Sequence, residues 1–462
     1  MFDASKDFDK FYKNDVVLPQ SDQQELRDKK RINVDRLKSG LKTYNDEYKT
    51  DYKVAEDRVQ GSMAMSTVIQ NDKHDYDIDV AIIFDKSNIG DMGPLQARRL
   101  VKAALDYKSG QFTNKAEVKT NCVRIRYQDG YHVDFAVYRR YRKDGETNYT
   151  YEHAGTTWSY RDPAAITDWF LKEIKDKGTD LRKVIRLSKM FCKSRNTWVN
   201  LPGGLIQSVV IDECFNEAGR IDEIFYNTMV AVHDRLEKSN EVCNPTDPSI
   251  SLLTAQNHYD KVKNWCSRLG MQLDKLSVLF EDGCTRKEAL DAWYGFFNHS
   301  YWSTESAVCE MAAVSKAYNL DSRQSFRDTE QFIEDQGVII NDHYWAQITC
   351  EIESKGFRKQ PIDSFFSRFT WLRRYIPRGP KLYFELRTDA PSYDAIWWKV
   401  RNVGAEAERR NDIRGQIEKQ WGKSKTETSK FVGPHYVEAY VIKGHECIAM
   451  AHYNVPIGNS DV

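Results

Sequence analysis

No two cysteines stand at CxxC spacing in these 462 residues; all nine are scattered, at Cys122, Cys192, Cys214, Cys243, Cys266, Cys284, Cys309, Cys350 and Cys447, and no histidine pair has finger spacing. That excludes a finger-type zinc module and a disulfide framework, and points to reduced thiols in a cytosolic protein. Apolar runs of about eighteen residues, the length that spans a bilayer, are missing. The opening MFDASKDFDKFY has no apolar h-region, so the expectation is a cytoplasmic protein, neither secreted nor membrane-spanning. Excess charge is missing too. Lys plus Arg and Asp plus Glu number 68 each, so no global field draws the chain to a polyanion or a membrane, although a local basic patch stays open. Internal repeats and long low-complexity tracts are absent, which excludes a solenoid.

What is present describes a globular protein with an ample core: 40% hydrophobic, 29% charged and 12% aromatic residues. The length predicts two or three domains. SDQQELRDKKRINVDRLKSGLKTYNDEY reads as a charged amphipathic helix with Leu26, Ile32, Val34, Leu37 and Leu41 on its apolar side. From about residue 53 to 139, short strand-like runs (DVAIIF, AEVKTNCVRIRY, YHVDFAVYRR) surround a helix at GPLQARRLVKAALDY. Residues 162 to 297 read mostly as helices and form a helical lobe. The polar stretch YNLDSRQSFRDTEQF, 318 to 332, is the linker candidate, after which strand signals return in KLYFELR, AIWWKVRN and HYVEAYVIKGHECIAMAHYNVPI.

The stretch QGSMAMSTVIQNDKHDYDIDVAIIFD, residues 60 to 85, sets acid against an apolar strand. Side chains alternate along a strand, so Asp77 and Asp79 share one face and Ile78 and Val80 the other. Two carboxylates in one space repel, and a divalent cation is the common remedy; the plain alternative is a solvated acidic turn. Asp134 in YHVDFAVYRR sits mid-strand among Val133, Phe135, Ala136 and Val137, where a lone carboxylate is costly unless paired or metal-bound. Gly61-Ser62 opens a short helix whose backbone N–H groups and hydroxyl suit a phosphate. Asp75 shares the parity of Asp77 but lies further from the apolar run, outside the candidate set. Arg182, Arg186, Lys189 and Lys193 form one helical stripe opposite Val184, Leu187 and Phe191, a spacing that by itself favours a solvated basic face.

GS, a DxD about fifteen residues on, and a single Asp on a later strand together resemble the nucleotidyltransferase core of the DNA polymerase β superfamily. YEHAGTTWSYRDPAAITDW, LRKVIRLSKMFCK and VCNPTDPSISLL narrow the resemblance, over roughly residues 20 to 297, to the bacterial cGAS/DncV-like nucleotidyltransferases, the CD-NTases. The resemblance implies that Asp77, Asp79 and Asp134 are catalytic and hold two Mg²⁺ ions, or Mn²⁺, and that Gly61, Ser62 and Lys189 bind the nucleotide triphosphate. It also implies a pocket hydroxyl from Ser208 in LPGGLIQSVV, a segment that departs from the pattern by carrying Gly203 where relatives have Ser.

Further on, WWKVRNVGAEAERRNDIRGQIEK and ETSKFVGPHYVEAYVIKGHECIAMA resemble the adenylyl/guanylyl-cyclase and SMODS-associated C-terminal sensor domain, carried by Trp398, Lys399, Arg401, Asn402, Gly404, Glu406, Arg414-Gly415 and His435-Tyr436-Val437-Glu438. The implied role is to bind a nucleotide or nucleic-acid ligand by stacking and phosphate contact, with Arg401, Arg414 and Glu438 as ligand candidates. The alternative is a core Trp pair with structural ion pairs around it.

The implied fold is α+β: a polymerase β-like core with its N-terminal helix (1–160), a helical lobe completing the cleft (161–317), a linker (318–332) and a separate C-terminal α+β sensor domain (333–462). The implied activity is metal-dependent joining of nucleoside triphosphates into a cyclic or short linear oligonucleotide for bacterial anti-phage, CBASS-like signalling, with a downstream effector as partner. Transfer to an RNA or protein acceptor is the second hypothesis, weakened by the zero net charge. A non-catalytic nucleotide sensor is the third, and the presence of all three acids weighs against it.

Overall fold

The apolar run at 80–84 becomes the middle of a sheet. The computed structural model describes every residue except 72–74, 109, 111–114, 196, 318–329, 334–335, 343, 355, 370–374, 403–404, 411, 421 and 459–462. It divides into two units, residues 1–19 with 29–322 and residues 20–28 with 323–462.

In the first unit α1 (Ser5–Phe11) and the long α2 (Gln20–Tyr48, whose first nine residues group with the second unit) precede strand β1 (Glu56–Gln60), helix α3 (Gly61–Ala64) and strand β2 (Asp77–Asp85). Helices α4 (Lys86–Ile89) and α5 (Pro94–Tyr107) lead to β3 (Glu117–Val118), β4 (Val123–Arg126), β5 (His132–Tyr141), β6 (Thr150–Ala154) and β7 (Trp158–Tyr160). The sheet runs β1-β2-β5-β4-β3, with β6 continuing the β4 edge of β5 and β7 pairing β6. Strand β2 lies antiparallel to β1 and parallel to β5. Ile78, Val80, Ala81, Ile82, Ile83 and Phe84 are all sealed from solvent, the near-continuous apolar pattern of a strand covered on both faces. Helix α5 adds Ala97, Leu100, Val101, Ala104 and Leu105 to the core, and α2 crosses it closely: a Cβ on Gly40 would meet the Ala104 carbonyl oxygen at 1.8 Å.

The helical lobe comprises α6 (Ala165–Lys177), α7 (Asp180–Lys193), α8 (Gly204–Cys214) and α9 (Ile221–Lys238), a hairpin of β8 (Cys243–Asn244) and β9 (Asp247–Ser251), then α10 (Gln256–Leu273), α11 (Arg286–Phe297) and α12 (Ser300–Ala317). Its centre is aromatic. Phe8 of α1 packs edge-on against Trp293 at 4.6 Å between ring centroids and against Trp302 at 5.3 Å, and Phe11 meets Phe297 at 5.0 Å. Residues 1–18 therefore belong to the helical lobe rather than to the 1–160 sheet domain of the sequence reading. A seven-residue helix is too short for its apolar period to announce a partner.

The second unit contains β10 (Ile339–Ile340), β11 (Ala346–Glu353), β12 (Gln360–Pro361), α13 (Ile362–Arg368), β13 (Lys381–Thr388), β14 (Ala395–Arg401), α14 (Ala405–Arg409), β15 (Ile417–Gln420), β16 (Ser424–Thr428), β17 (Gly433–Lys443) and β18 (Glu446–Ile457). They build two sheets, β10-β18-β17-β14-β15 and β12-β11-β13-β16, around a core that includes Trp398, Ile348, Phe384, Val441 and Phe365. Of the linker candidate, residues 318–329 lie outside the described residues. Residues 330–332 already belong to the second unit, where the Gln331 N–H donates to the Gly415 carbonyl at 2.9 Å. No described helix is long and apolar enough to cross a membrane.

Candidate active site

Strand register assembles the acids. Gln60 of β1 is paired with Asp79 of β2, Asp79 with Asp134 of β5, and Asp134 with Arg124 of β4, so four polar residues form one row across a hydrophobic sheet. Asp77 lies two residues before Asp79, at the exposed start of β2 and on the same face. Asp77, Asp79 and Asp134 line one cavity of about 800 Å³, together with Gly61, Ser62 and Lys189. Burial, then the charges of Asp77 and Asp134, push the Asp79 carboxyl up to about 7. Asp134 is held by Arg124 through two bonds, Nε to Oδ1 at 2.8 Å and Nη2 to Oδ2 at 2.5 Å. Burial and then the Asp134 charge push the nearby Cys122 thiol up to about 12, so it stays protonated. Three carboxylates, one driven toward neutrality by its neighbours, make an all-oxygen donor set that fits a hard divalent cation.

Gly61 is required twice over. Its φ of +66° is costly for a side-chain-bearing residue, and a Cβ would lie 2.2 Å from Asp79 Oδ2. The turn that opens α3 is thus pressed directly against the acidic row.

Of the basic stripe of α7 only Lys193 is exposed; the other three are not a solvated face. Arg182 is 1% exposed, Arg186 2% and Lys189 8%. Arg182 Nε donates to the Met65 carbonyl at 3.2 Å and Arg186 Nη1 to the Tyr12 hydroxyl at 2.6 Å, so the arginines hold neighbouring segments in place. Lys189 reaches the cavity and donates through Nζ to Thr67 Oγ1 at 2.7 Å and to the Thr67 carbonyl at 3.0 Å. Burial, then Arg186 and Lys193, pull its ammonium down to about 7. Gly204 makes room for it: a Cβ there would meet Lys189 Cε at 2.8 Å and Nζ at 3.0 Å.

Ser208 is a correction. It is fully buried in α8, does not line the cavity, and its hydroxyl donates to the Gly204 carbonyl four residues back at 2.8 Å. From this helix it is Gly204, Leu205 and Gln207 that line the cavity, with Gly203 just before it. Sequence reasoning also missed Arg124, Thr67, Tyr138 and Arg161. Strand parity in VRIR could have singled out Arg124; nothing local marks the others.

The sensor-domain candidates are placed differently from the expectation. Glu438 is 2% exposed, and its carboxylate accepts from Lys399 at 2.5 Å, from the Tyr440 hydroxyl at 2.5 Å, and faces His452 Nδ1 at 3.2 Å. Burial would raise it, yet Lys399 and His452 hold it down to about 2. Arg401 donates to the Arg414 carbonyl at 3.0 Å, and Arg414 pairs with Glu427 at 2.7 Å and Glu418 at 3.2 Å. Trp398 is fully buried, with Nε1 donating to the Gly422 carbonyl at 2.9 Å, so its ring offers no stacking face. Arg414 does line a cavity, with Asn402, Lys430 and His435, but its volume is only about 40 Å³. Glu438, and Arg401, whose Nε faces Glu330 Oε2 at 3.5 Å, are therefore structural ion-pair residues rather than ligand contacts, and Gly404 lies outside the described residues.

Comparison with known proteins agrees with this layout. The family of the cyclic GMP-AMP synthase DncV-like nucleotidyltransferase domain matches residues 56–138, and the adenylyl/guanylyl and SMODS C-terminal sensor domain matches residues 327–458. A cyclic GMP-AMP synthase of Escherichia albertii is 24% identical over 404 residues, covering 83% of this chain and 80% of that protein. Among solved structures, the Vibrio cholerae DncV cyclic AMP-GMP synthase in complex with the linear intermediate pppA(3′,5′)pG superposes with a TM-score of 0.52 at 16% identity, over 64% of this chain and 96% of that one. The same V. cholerae enzyme with GTP and 5MTHFGLU2 gives a TM-score of 0.52 at 16% identity, over 66% and 98%. These two show a shared fold. The acid-lined sheet thus falls in the part of the chain that matches the DncV-like nucleotidyltransferase domain, and the sheet-rich C-terminal part matches the adenylyl/guanylyl and SMODS sensor domain, so the chain carries a DncV-like nucleotidyltransferase domain followed by a C-terminal sensor domain.

Proposed function

We propose that this enzyme joins nucleoside triphosphates into a cyclic or short linear oligonucleotide second messenger, acting in the cytoplasm within a CBASS-like anti-phage system whose effector binds the product. The observation that carries the reading is the convergence of Asp77, Asp79, Asp134, Gly61, Ser62 and Lys189 on one cavity, whose roughly 800 Å³ lies at the upper end of ligand-site volumes.

In the proposed reaction a ribose hydroxyl oxygen of one nucleotide attacks the α-phosphorus of another; the new O–P bond forms as the bond to pyrophosphate breaks. Asp77, Asp79 and Asp134 would hold Mg²⁺, or Mn²⁺, which when bound would lower the pKa of the attacking hydroxyl and offset charge on the phosphoryl oxygens. Gly61, free of a side chain, lets the backbone turn beside Asp79 so that its N–H and the Ser62 hydroxyl can meet phosphate oxygens. Lys189, held near neutrality by burial, regains full charge when a polyanion enters, and Thr67 orients its amine. Arg124 keeps Asp134 aimed along the sheet row before substrate arrives.

The test is to incubate the pure full-length protein with each labelled NTP pair plus Mg²⁺ or Mn²⁺ and resolve products by mass spectrometry. A phosphodiester-linked oligonucleotide with release of pyrophosphate is expected. Products found only on an added RNA or protein would move the assignment to acceptor transfer.

A further inference from the structure

Away from the nucleotide cavity, His233, Glu237 and Cys266 meet where α9 packs on α10, and a ligand atom from each lies within 4.8 Å of the other two. His233 and Glu237 are four residues apart and share one face of α9. Cys266 Sγ comes from buried α10 to 3.2 Å from Glu237 Oε1, and His233 Nε2 stands 3.9 Å from the same oxygen.

Two details go beyond proximity. Gly270, one turn after Cys266 on α10, is where a Cβ would lie 2.5 Å from His233 Nε2, so a bare backbone is needed for the imidazole to lie over α10 beside the thiol. On the other side of the ring, His233 Nδ1 faces Asp234 Oδ1 at 3.7 Å. That is longer than a hydrogen bond, but close enough for the exposed Asp234 carboxylate to attract the second ring nitrogen.

We propose that His233, Glu237 and Cys266 bind one Zn²⁺ ion that ties α9 to α10 within the helical lobe, with solvent at the fourth position. Imidazole nitrogen, thiolate sulfur and carboxylate oxygen together suit zinc rather than the hard cations that an all-oxygen site takes. One thiolate and one carboxylate balance the dication, so the loaded site is neutral and its burial carries little electrostatic cost. In the metal-free protein the Cys266 thiol donates to Glu237 Oε1 at 3.2 Å. Zinc takes the place of that proton, which leaves to solvent; nothing is oxidised or reduced. Glu237 is largely exposed, which gives the ion a way in.

The experiment uses the full-length protein, stripped with chelator and titrated with Co²⁺ in excess Mg²⁺, which keeps all-oxygen sites filled. A thiolate-to-cobalt charge-transfer band saturating at one equivalent, bleached by Zn²⁺, is expected, together with a higher Tm in Zn²⁺. Cys266→Ser should abolish the band. Glu237→Gln, on an exposed side chain that does not threaten the fold, should weaken Zn²⁺ binding by more than about tenfold. Cys284→Ser should leave both unchanged. Absence of the band in the parent protein, its survival in Cys266→Ser, or unaltered Zn²⁺ affinity in Glu237→Gln overturns the site.

Discussion

Arg124 and Asp134 stand opposite each other on β4 and β5, joined by two hydrogen bonds that occupy both carboxylate oxygens. Any cation that takes Asp134 must share it with, or displace, this guanidinium. Arg124→Met should therefore destabilise the metal-free protein by about 1–3 kcal/mol, and Mn²⁺ should return more stability to the variant than it adds to the parent. Thermal unfolding with and without Mn²⁺ reads this; equal metal-induced shifts would contradict competition for Asp134.

Asp77→Ala and Asp79→Ala should each lower the rate of oligonucleotide synthesis about a hundredfold or more, while the metal-free fold persists, because losing a carboxylate relieves repulsion. Circular dichroism and initial rates at saturating NTP check the two halves. Full activity with ordinary metal dependence in either variant contradicts the assigned role.

Gly61→Ala places a methyl against Asp79 Oδ2 at a backbone angle that costs a non-glycine residue about 1–2 kcal/mol. Activity should fall well beyond this loss in stability, since the displaced atom is a proposed metal ligand. Similar losses of kcat in Gly61→Ala and Gly90→Ala, the latter also at positive φ but facing open space, would show that strain alone matters.

Lys189 gives a pH signature. Its ammonium is pulled down to about 7 in the folded protein, against roughly 10.4 for an unperturbed lysine. Above both values neither state binds the proton. As pH falls from 10 toward 7 the unfolded chain takes it up first, so folded stability declines and is lowest below about 7. Without metal or nucleotide, Lys189→Met should gain stability over the parent progressively as pH drops through that window, and should bind NTP less tightly by about 1.5–3 kcal/mol. Denaturant titrations between pH 7 and 10 provide the check; a pH-independent gap would refute the sign.

In the sensor domain, Glu438→Gln takes one of two carboxylates from buried Lys399, whose Nζ keeps Glu330 Oε1 at 3.0 Å, so the loss should be about 1–3 kcal/mol. The double variant Lys399→Met/Glu438→Leu should recover most of the loss in thermal unfolding. A stable Glu438→Gln protein with altered ligand response would instead restore Glu438 as a contact residue.

Alternation within a strand made Asp77, Asp79 and Asp134 legible, because charge inside an apolar run demands a reason. The partner of Asp134 was not, since Arg124 meets it only through the order β5-β4, which no local pattern specifies. Glu438 was misread for the same reason: Lys399 neutralises it from the facing position on β14, and that register is a property of the sheet. On α7, spacing distinguished the basic stripe but not its burial, which depends on Met65 and Tyr12 arriving from far along the chain. Ser208 failed because a helical serine can turn back to its own carbonyl ladder.

The aromatic centre of the helical lobe sets an order in time. Phe8 leaves the ribosome long before its ring neighbours Trp293 and Trp302, which are made only after the whole sheet and most of the lobe. Helix α1 must wait, exposed, while the β2–β5 sheet can already close around its own apolar strands. Folding of this lobe is thus gated by synthesis of residue 302, and slowing translation between the sheet and that tryptophan should lengthen the interval in which Phe8 and Phe11 are open to chaperones.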